Sequence, residues 1–410
     1  MARKSKKARI VTGLDVGTTK VCALIGQADE DSHLRILGVG SSPSHGLRKG
    51  IVVDIDRTVQ AVQQAVGKAE QMAGVTVRDV YVGIAGAHIV SQNSRAMIEI
   101  ANPLRGVSRS DIERVLERAK AIAVPLDREI IHVIPQEYIC DDQGGYQNPE
   151  TVACSKLEVR VHLVLAAVTS AQNLVRCVNQ AGFRANGILL EAIASATAIL
   201  SDSEKDLGVL LLDVGGGTTD IVLYSEGTIK YSGVVPYAGD NISNDIAHAL
   251  KVSRFDAENI KKKYGCAVAD PIDPNETFDV TGVFQSKRMR VSRQKLAAVI
   301  QARCEEILEL VQRQIETMAL RPKVFSGLVL TGGTALIDGL SDLAESVFGL
   351  PVKIGAPQGM KGMASVVASP IYSTGVGLLL HGLNQRRAAS MGNGHSFRRI
   401  FRMLCSIIDL

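Results

Sequence analysis

Two short stretches of this chain echo one another. Asp15-Val16-Gly17, followed by Thr18 and Thr19, recurs as Asp213-Val214-Gly215, then Gly216, Gly217, Thr218 and Thr219. Each stretch closes one apolar run (IVTGL, GVLLL) and opens another (KVCALIG, DIVLYS). That pattern predicts strand, glycine turn, strand. A chain that builds the same hairpin twice folds as two similar halves, and two such halves facing each other leave a cleft.

A glycine turn aims several backbone N–H groups at one anion, because a residue without Cβ takes up positive φ and lets the backbone approach closely. Threonine hydroxyls add donors. A carboxylate at the strand end suits the hydrated Mg²⁺ that accompanies a nucleotide, since this ion keeps several waters. Asp15 and Asp213 stand at those positions, and Lys20 is placed to neutralise a terminal phosphate. Taken alone, such a turn reads equally as a tight hairpin whose Thr and Asp satisfy their own backbone. Two matched turns, with a third in Leu330-Thr331-Gly332-Gly333-Thr334-Ala335 ahead of a helix, point instead to phosphate. Neither GxxxxGK[ST] nor a GxGxxG after the first strand occurs, so the ordinary NTPase and dinucleotide loops are absent.

Elsewhere strands and helices alternate, which predicts an α/β protein. ILGVGSS continues the first two strands as a third, residues 57–73 carry apolar side chains at helical spacing, and DVYVGIAG returns to strand. Between 84 and 165 the texture changes to a small α+β insertion. There Ser110-Asp111-Ile112-Glu113 has the form of a capping box opening a helix to about Ala123. EIIHVIPQEYIC and SKLEVRVHLVLAAV read as strands, with Pro135 assigning the first to an edge. Helical patterns dominate 240–264 and 292–320, and residues 384–396 read as a polar linker before a last helix, 397–410. With 410 residues, 46% of them hydrophobic, the chain has length for two to four folding units.

The net charge of +4 sits in the tails. Arg3, Lys4, Lys6, Lys7 and Arg9 give +5 at the start, and five arginines against Asp409 give +4 over 386–410, leaving the body at −5. That balance argues against a nucleic-acid-binding body. Seven scattered cysteines without a Cys-x-x-Cys indicate neither a disulfide framework nor zinc, and suit a reducing cytoplasm. No run reaches the roughly 18 apolar residues of a spanning helix.

At GLDVGTTK, LLDVGGGTTD and LVLTGGTALI the sequence resembles the actin-like ATPase superfamily. These look like its two phosphate loops and its adenosine loop. Glu191 in LLEAIASATA and Gly375-Val376-Gly377 look like its two connecting helices. Glu258 and Lys261 are similar to the pair that contacts ribose and base, although by spacing alone they read equally as a solvated helix face. GLRKGIVVDID, AGAHIVSQNSRAMIEI, the insertion and the terminal helix narrow the resemblance to the FtsA family of bacterial cell-division proteins, over about residues 10–410. One departure is Asn148–Cys154, where that family tends to have a Gly-Met-Ser-Gly turn.

The resemblance implies an actin-like two-lobed fold of duplicated ribonuclease-H-like domains. Residues 1–9 are then a basic tail. Segments 10–83, 166–207 and 359–385 form a first lobe, carrying the insertion 84–165. Segments 208–240 and 325–358 form the second lobe's core and 241–324 its outer part, with 386–396 a linker and 397–410 an amphipathic membrane-targeting helix. It further implies ATP and Mg²⁺ bound by Asp15, Gly17, Thr18, Thr19, Lys20, Asp213, Gly215, Gly216, Gly217, Thr218, Thr219, Glu258, Lys261, Gly332, Gly333 and Thr334. Glu191 and Asp213 are its candidates for a slow ATPase. Head-to-tail polymers, the C-terminal tail of the tubulin-like FtsZ and later division proteins are the implied partners, with no nucleic acid. The implied location is the cytoplasmic face of the inner membrane at the division septum. The outer part of the second lobe would hold FtsZ, with Arg293 and Arg303 as guesses for its acidic tail. A small-molecule kinase and a pilus-assembly scaffold are the rival readings on the same fold.

The last helix is legible without any family. At about 100° per residue, Phe397, Ile400, Phe401, Leu404, Ile407 and Ile408 share an arc, while Arg398, Arg399, Arg402, Ser406 and Asp409 face away. Periodicity leaves a helix docked on the body equally open; the glycines at 392 and 394 favour a tethered helix binding an anionic membrane surface.

Overall fold

The computed structural model describes residues 10–28, 33–282, 288–318 and 324–390. Two sheets carry the two lobes. The first has six strands in the order Arg184–Leu190, Asp79–Ile84, Ile10–Val16, Lys20–Ala28, Leu34–Pro43 and Lys361–Gly362. The second has five, in the order Thr228–Val235, Thr219–Ser225, Val209–Val214, Leu328–Thr331 and Val352–Ile354. In each, an antiparallel meander of three strands continues into a parallel neighbour, Asp79–Ile84 beside Ile10–Val16 and Leu328–Thr331 beside Val209–Val214. The echo in the sequence is therefore an echo in topology.

Both Asp-bearing strands are mostly apolar on both faces and buried, the first from Val11 onward, as expected of strands with helices or a neighbouring layer on each side. Helix Ile55–Ala73 covers the first sheet with Ala61, Val62, Ala65, Val66 and Ala69. It starts at Asp54, whose side chain accepts from Arg57 N, and stops at Gly74 in the left-handed region. Helices Gly239–Leu250, Arg254–Tyr264 and Arg293–Thr317 pack over the second lobe through Ile242, Ile246, Ile260, Ile300 and Leu308.

Two helices cross between the lobes, Glu191–Ile199 and Ser373–Ser390. Gly377 sets their separation, because a Cβ there would overlap the Ala194 carbonyl. The second helix runs on through Ser390, so residues 386–390 are helical and any linker begins no earlier than residue 391. The side chains of Phe397, Arg398, Arg399, Ile400, Phe401, Arg402, Leu404, Ile407 and Ile408 lie outside the described residues.

The insertion is a four-stranded sheet, in the order Val90–Glu99, Lys156–Ala167, Arg128–Cys140 and Gln143–Tyr146, with helix Arg109–Lys120 on one face. Its helix begins two residues earlier than the sequence pattern suggests. The N-cap is Ser108, which closes a capping box with Asp111, and the helix ends at Lys120. Ser108 wins over Ser110 because Asp111 then sits at the third helical position, where its carboxylate reaches back to Ser108 N at 3.0 Å. Arg128–Cys140 is not the edge strand that Pro135 suggests, since Gln143–Tyr146 pairs beside it; Pro135 falls at a register shift opposite Val161, outside the stretch that Gln143–Tyr146 covers. The unusual Asn148–Cys154 loop is held to the entry of the helix by paired backbone bonds between Val107 and residues Thr151 and Val152, and by Arg109 to Glu150 at 3.1 Å.

The insertion also reaches the second lobe. Ser91 Oγ donates to Ser232 O, Asn93 to Lys230 O and Gln136 to Ile229 O, while His162 bridges Ser232 Oγ and Asn93 at 2.8 Å each.

Candidate functional site

The two glycine turns are the same turn. Gly17 N donates to Lys20 O and Gly215 N donates to Thr218 O, both at 3.0 Å. Strand register agrees, pairing Asp15 with Cys22 and Asp213 with Asp220. Counting from the closing glycine, Thr18 and Thr19 therefore match Gly216 and Gly217, and Lys20 matches Thr218. The threonine pairs aligned by eye in the sequence are not structural equivalents, because the turn is fixed by the glycine N–H and not by the threonines.

The tips of the turns meet across the cleft. A Cβ on Gly216 would overlap Thr19 Oγ1, and one on Gly217 would overlap Thr18 Oγ1. Glycine on one lobe thus makes room for threonine on the other. Thr18 Oγ1 is held by Gly50 N at 3.1 Å, and Thr219 Oγ1 donates to Tyr237 O at 2.8 Å. Lys49 lies 5.0 Å from the ring of Tyr237, adding a cation–π contact between the lobes.

Behind the turns is a group of carboxylates. Asp213 Oδ2 accepts from Ser195 Oγ at 2.6 Å and from Thr374 Oγ1 at 3.2 Å, one hydroxyl from each crossing helix. Gly332, at φ 86°, lies so close to Asp213 Oδ1 that a side chain is excluded. Asp220 Oδ2 accepts from Thr218 Oγ1 at 2.9 Å, whereas its Oδ1 is buried without a partner. Glu191 opens its helix over Gly83. Burial raises all four acids. Asp15 is pushed up to about 6 by desolvation and by Asp213, against the pull of Lys20. Asp220 is pushed to about 8 by desolvation, then Asp213 and Asp15. Glu191 lies well above the usual range through desolvation, then Asp15, Asp220 and Asp213. Asp213 is raised by desolvation, against the two hydroxyls and Lys20, which stabilise its ionised form.

The cluster therefore keeps protons that ordinary carboxylates would lose, because its surroundings do not balance the charge of the fully ionised set. Lys20 acts on it from a distance, its own Nζ donating to Ile371 O at 2.9 Å and lying 4.7 Å from the Tyr372 ring. Among the described residues no three acid, His or Cys side chains converge closely enough to ligate a metal directly. The donor set fits a hydrated cation held through water, with phosphate oxygens completing its shell.

The third glycine turn joins this site. Thr334 Oγ1 donates to Gly215 O at 2.7 Å, and Thr331 Oγ1 lies 2.8 Å from Ser373 Oγ. Gly333 has open space on its Cβ side. Lys261 is buried beside the second turn, donating to Gly239 O and Ser243 Oγ at 2.9 Å and pairing with Glu258 at 2.7 Å. Burial alone would raise Glu258, but Lys261, Ser243 and Lys262 bring it down to about 2. The pair is no solvated face; it borders the cleft. Arg293 and Arg303, by contrast, are already ion-paired, the first with Glu276 and the second with Asp245 and Glu306.

Sequence reasoning missed Ser195, Asp220 and Thr374. Asp220 directly follows the second threonine pair, and Ser195 lies one helical turn after Glu191, so both had a local signal; Thr374 had none.

Comparison with known proteins agrees. The family model described as Cell division protein FtsA matches residues 210–377, and that of the SHS2 domain inserted in FTSA matches residues 86–165. The chain is 44% identical over 381 residues to the cell division protein FtsA of Pseudomonas aeruginosa, covering 93% of this chain and 91% of that one. Its fold is similar to the PilM-PilN type IV pilus biogenesis complex, with TM-score 0.67, 15% identity, and 91% and 98% of the two chains covered. It is similar also to MreB5 of Spiroplasma citri bound to ADP, with TM-score 0.56, 16% identity, and 94% and 99% covered. An actin-like fold, two facing glycine hairpins and an insertion of this kind, together with 44% identity over nearly the whole length, place this chain in the FtsA family of cell-division proteins.

Proposed function

We propose that the chain is an actin-like scaffold that binds ATP with Mg²⁺ between its lobes and tethers FtsZ to the membrane. The observation that carries the nucleotide reading is the meeting of two equivalent turns over an undercompensated acid cluster. The ADP bound by the MreB5 neighbour supports it. In this reading Gly17, Thr18, Thr19, Gly215, Gly216, Gly217, Thr218 and Thr219 receive the phosphates once the lobes part. Asp15 and Asp213 hold metal-bound water, and Lys20 turns from Ile371 towards the terminal phosphate. Glu258 and Lys261 border the ribose and base, as do Gly332, Gly333 and Thr334. Glu191 polarises the hydrolytic water, its raised pKa suiting a group that takes and returns a proton. Bound Mg²⁺ supplies charge neutralisation for the phosphates.

Self-association runs head to tail, an open-ended heterologous contact that gives filaments. The insertion offers one side of it, with Leu104 and Leu126 almost fully exposed. Residues 397–410 bind anionic lipid at the cytoplasmic face of the inner membrane. A polymer displaying many such helices binds far more tightly than one copy. The outer part of the second lobe, 241–324, takes the FtsZ tail, and later division proteins join at the septum.

The test is co-sedimentation of the full chain with phosphatidylglycerol vesicles, with ATP and Mg²⁺, and with an FtsZ-tail peptide. Phe401→Glu should lose the vesicles and keep ATP. If that variant sediments as well as its parent, the tail is not the anchor.

A further inference from the structure

Opposite the glycine turns, first lobe, insertion and second lobe meet around a cavity of about 270 Å³. Its walls are Ile134 and Pro135 of the insertion, Leu189 just before and Ile193 within the first crossing helix, Tyr224 and Ile229 of the second lobe, with His132 and His381 also on the lining. This is below the roughly 300–1,000 Å³ of a pocket for a drug-sized ligand. It matches one or two large apolar side chains.

We infer that, away from lipid, residues 397–410 of the same chain dock here and place Phe397 or Phe401 in the cavity. His381 belongs to the helix Ser373–Ser390, which leads directly into that segment. From His381 to Ser390 the helix advances about 13 Å at 1.5 Å per residue. The seven residues on to Phe397 span up to about 23 Å when extended, enough to double back. The mouth suits the segment's two faces. Asp206, an exposed residue, has its carboxylate beside Gly227, which is itself on the lining, and Leu207 next to it in sequence is 62% exposed. The segment offers Phe and Ile on one face and Arg398, Arg399 and Arg402 on the other. Because the tail is tethered, its effective concentration is of millimolar order, so a weak contact suffices. Docking covers the apolar face until lipid competes for it. It also bridges all three bodies of the protein, so lipid capture of the tail would release a wedge from between them. The inference rests on the amphipathic reading of 397–410 but not on its binding to lipid.

The chain has no tryptophan, so Phe401→Trp provides a single reporter. In the full chain without lipid, its emission should be that of a buried indole. If the tail is docked nine-tenths of the time, quenching by acrylamide falls about tenfold relative to an always-free tail, and vesicle affinity falls by the same factor. Thr228→Arg, which places a long side chain on the lining from the first residue of its strand, should expose the indole and raise vesicle affinity up to about tenfold. Excess 397–410 peptide should expose it in the unblocked chain, which keeps the test independent of how Thr228→Arg folds. Release by the peptide supports docking even if no variant binds vesicles, a result that would sink the membrane reading alone. An indole as accessible as in the free peptide overturns the inference. So does protection unmoved by both blocker and peptide, or protection that grows with protein concentration, which assigns the contact to a second copy.

Discussion

Raising the pH from 6.5 to 8 in the absence of nucleotide and divalent metal should destabilise this protein. Asp220 sits at about 8 in the folded chain against 3.8 in the open one. Across that window the unfolded chain has already lost this proton while the folded chain still holds it. The folded state therefore binds more protons, and stability falls as pH rises. At 1.36 kcal/mol per pKa unit, Asp220 alone contributes a loss of about 2 kcal/mol between pH 6.5 and 8. Glu191, raised by the same burial and the same neighbours, adds to it. Asp15, at about 6, has largely finished its contribution below this window. The lower limit matters, because His88, His162 and His381 are pushed down to about 4 by burial and act with the opposite sign up to their ordinary 6.5. At pH 6.5 they are still about half charged in the unfolded chain, so together they return about 1 kcal/mol across the window, less than Asp220 alone removes. The assay is a urea midpoint series at four pH values with a chelator. Asp220→Asn should flatten it, since Asn keeps an acceptor for Thr218 and titrates nothing. Added Mg²⁺ should flatten it in the parent by stabilising the ionised cluster. A midpoint that is constant or climbs between pH 6.5 and 8 would refute the account of the cluster as buried and undercompensated.

Gly216→Val should abolish ATP binding and loosen the closed cleft by about 1–3 kcal/mol, as for overpacking elsewhere, because its Cβ overlaps Thr19; undiminished affinity in equilibrium titration with a fluorescent ATP analogue rules the loop assignment out. Lys261→Met leaves Glu258 and the Gly239 carbonyl without their buried partner and should cost about 3 kcal/mol by urea denaturation. If the double change Glu258→Gln, Lys261→Met costs the sum of the two single changes, the two residues are not coupled. Leu126→Glu, at a fully exposed site on the insertion, should leave ATP binding unchanged and abolish filaments on lipid in electron micrographs; normal filaments would remove the insertion from the polymer contact.

The parts of this molecule that the sequence discloses are those written locally. The Asp15 and Asp213 hairpins are legible because the turn, its glycine and its carboxylate lie within a few residues of each other. The insertion shows itself through a change in strand and helix texture. What escapes is made by juxtaposition. Thr374 reaches Asp213 across 161 positions of chain, and no spacing rule records that. Lys261 looks like a surface cation by composition; the carbonyl of Gly239 and the carboxylate of Glu258 are what make its burial tolerable. The helix past Arg386 was hidden by polar residues that read as linker. In the fold Arg386 instead donates to Ile10 O, at the start of the first strand.

The seam between insertion and second lobe bears on a different hazard. Strand Thr228–Val235 is the outer edge of its sheet, and an open edge is a template for uncontrolled pairing with another chain. Here three of its outward carbonyls, those of Ile229, Lys230 and Ser232, are taken by side chains of Gln136, Asn93 and Ser91. Side-chain donors satisfy the edge without extending the ladder, so they end the sheet where a further strand would continue it. At high local concentration, such as the proposed filament on lipid would create, the chain gains solubility from that closure. Loss of the seam would be felt first as amorphous aggregation at high protein concentration, with the nucleotide cleft still intact.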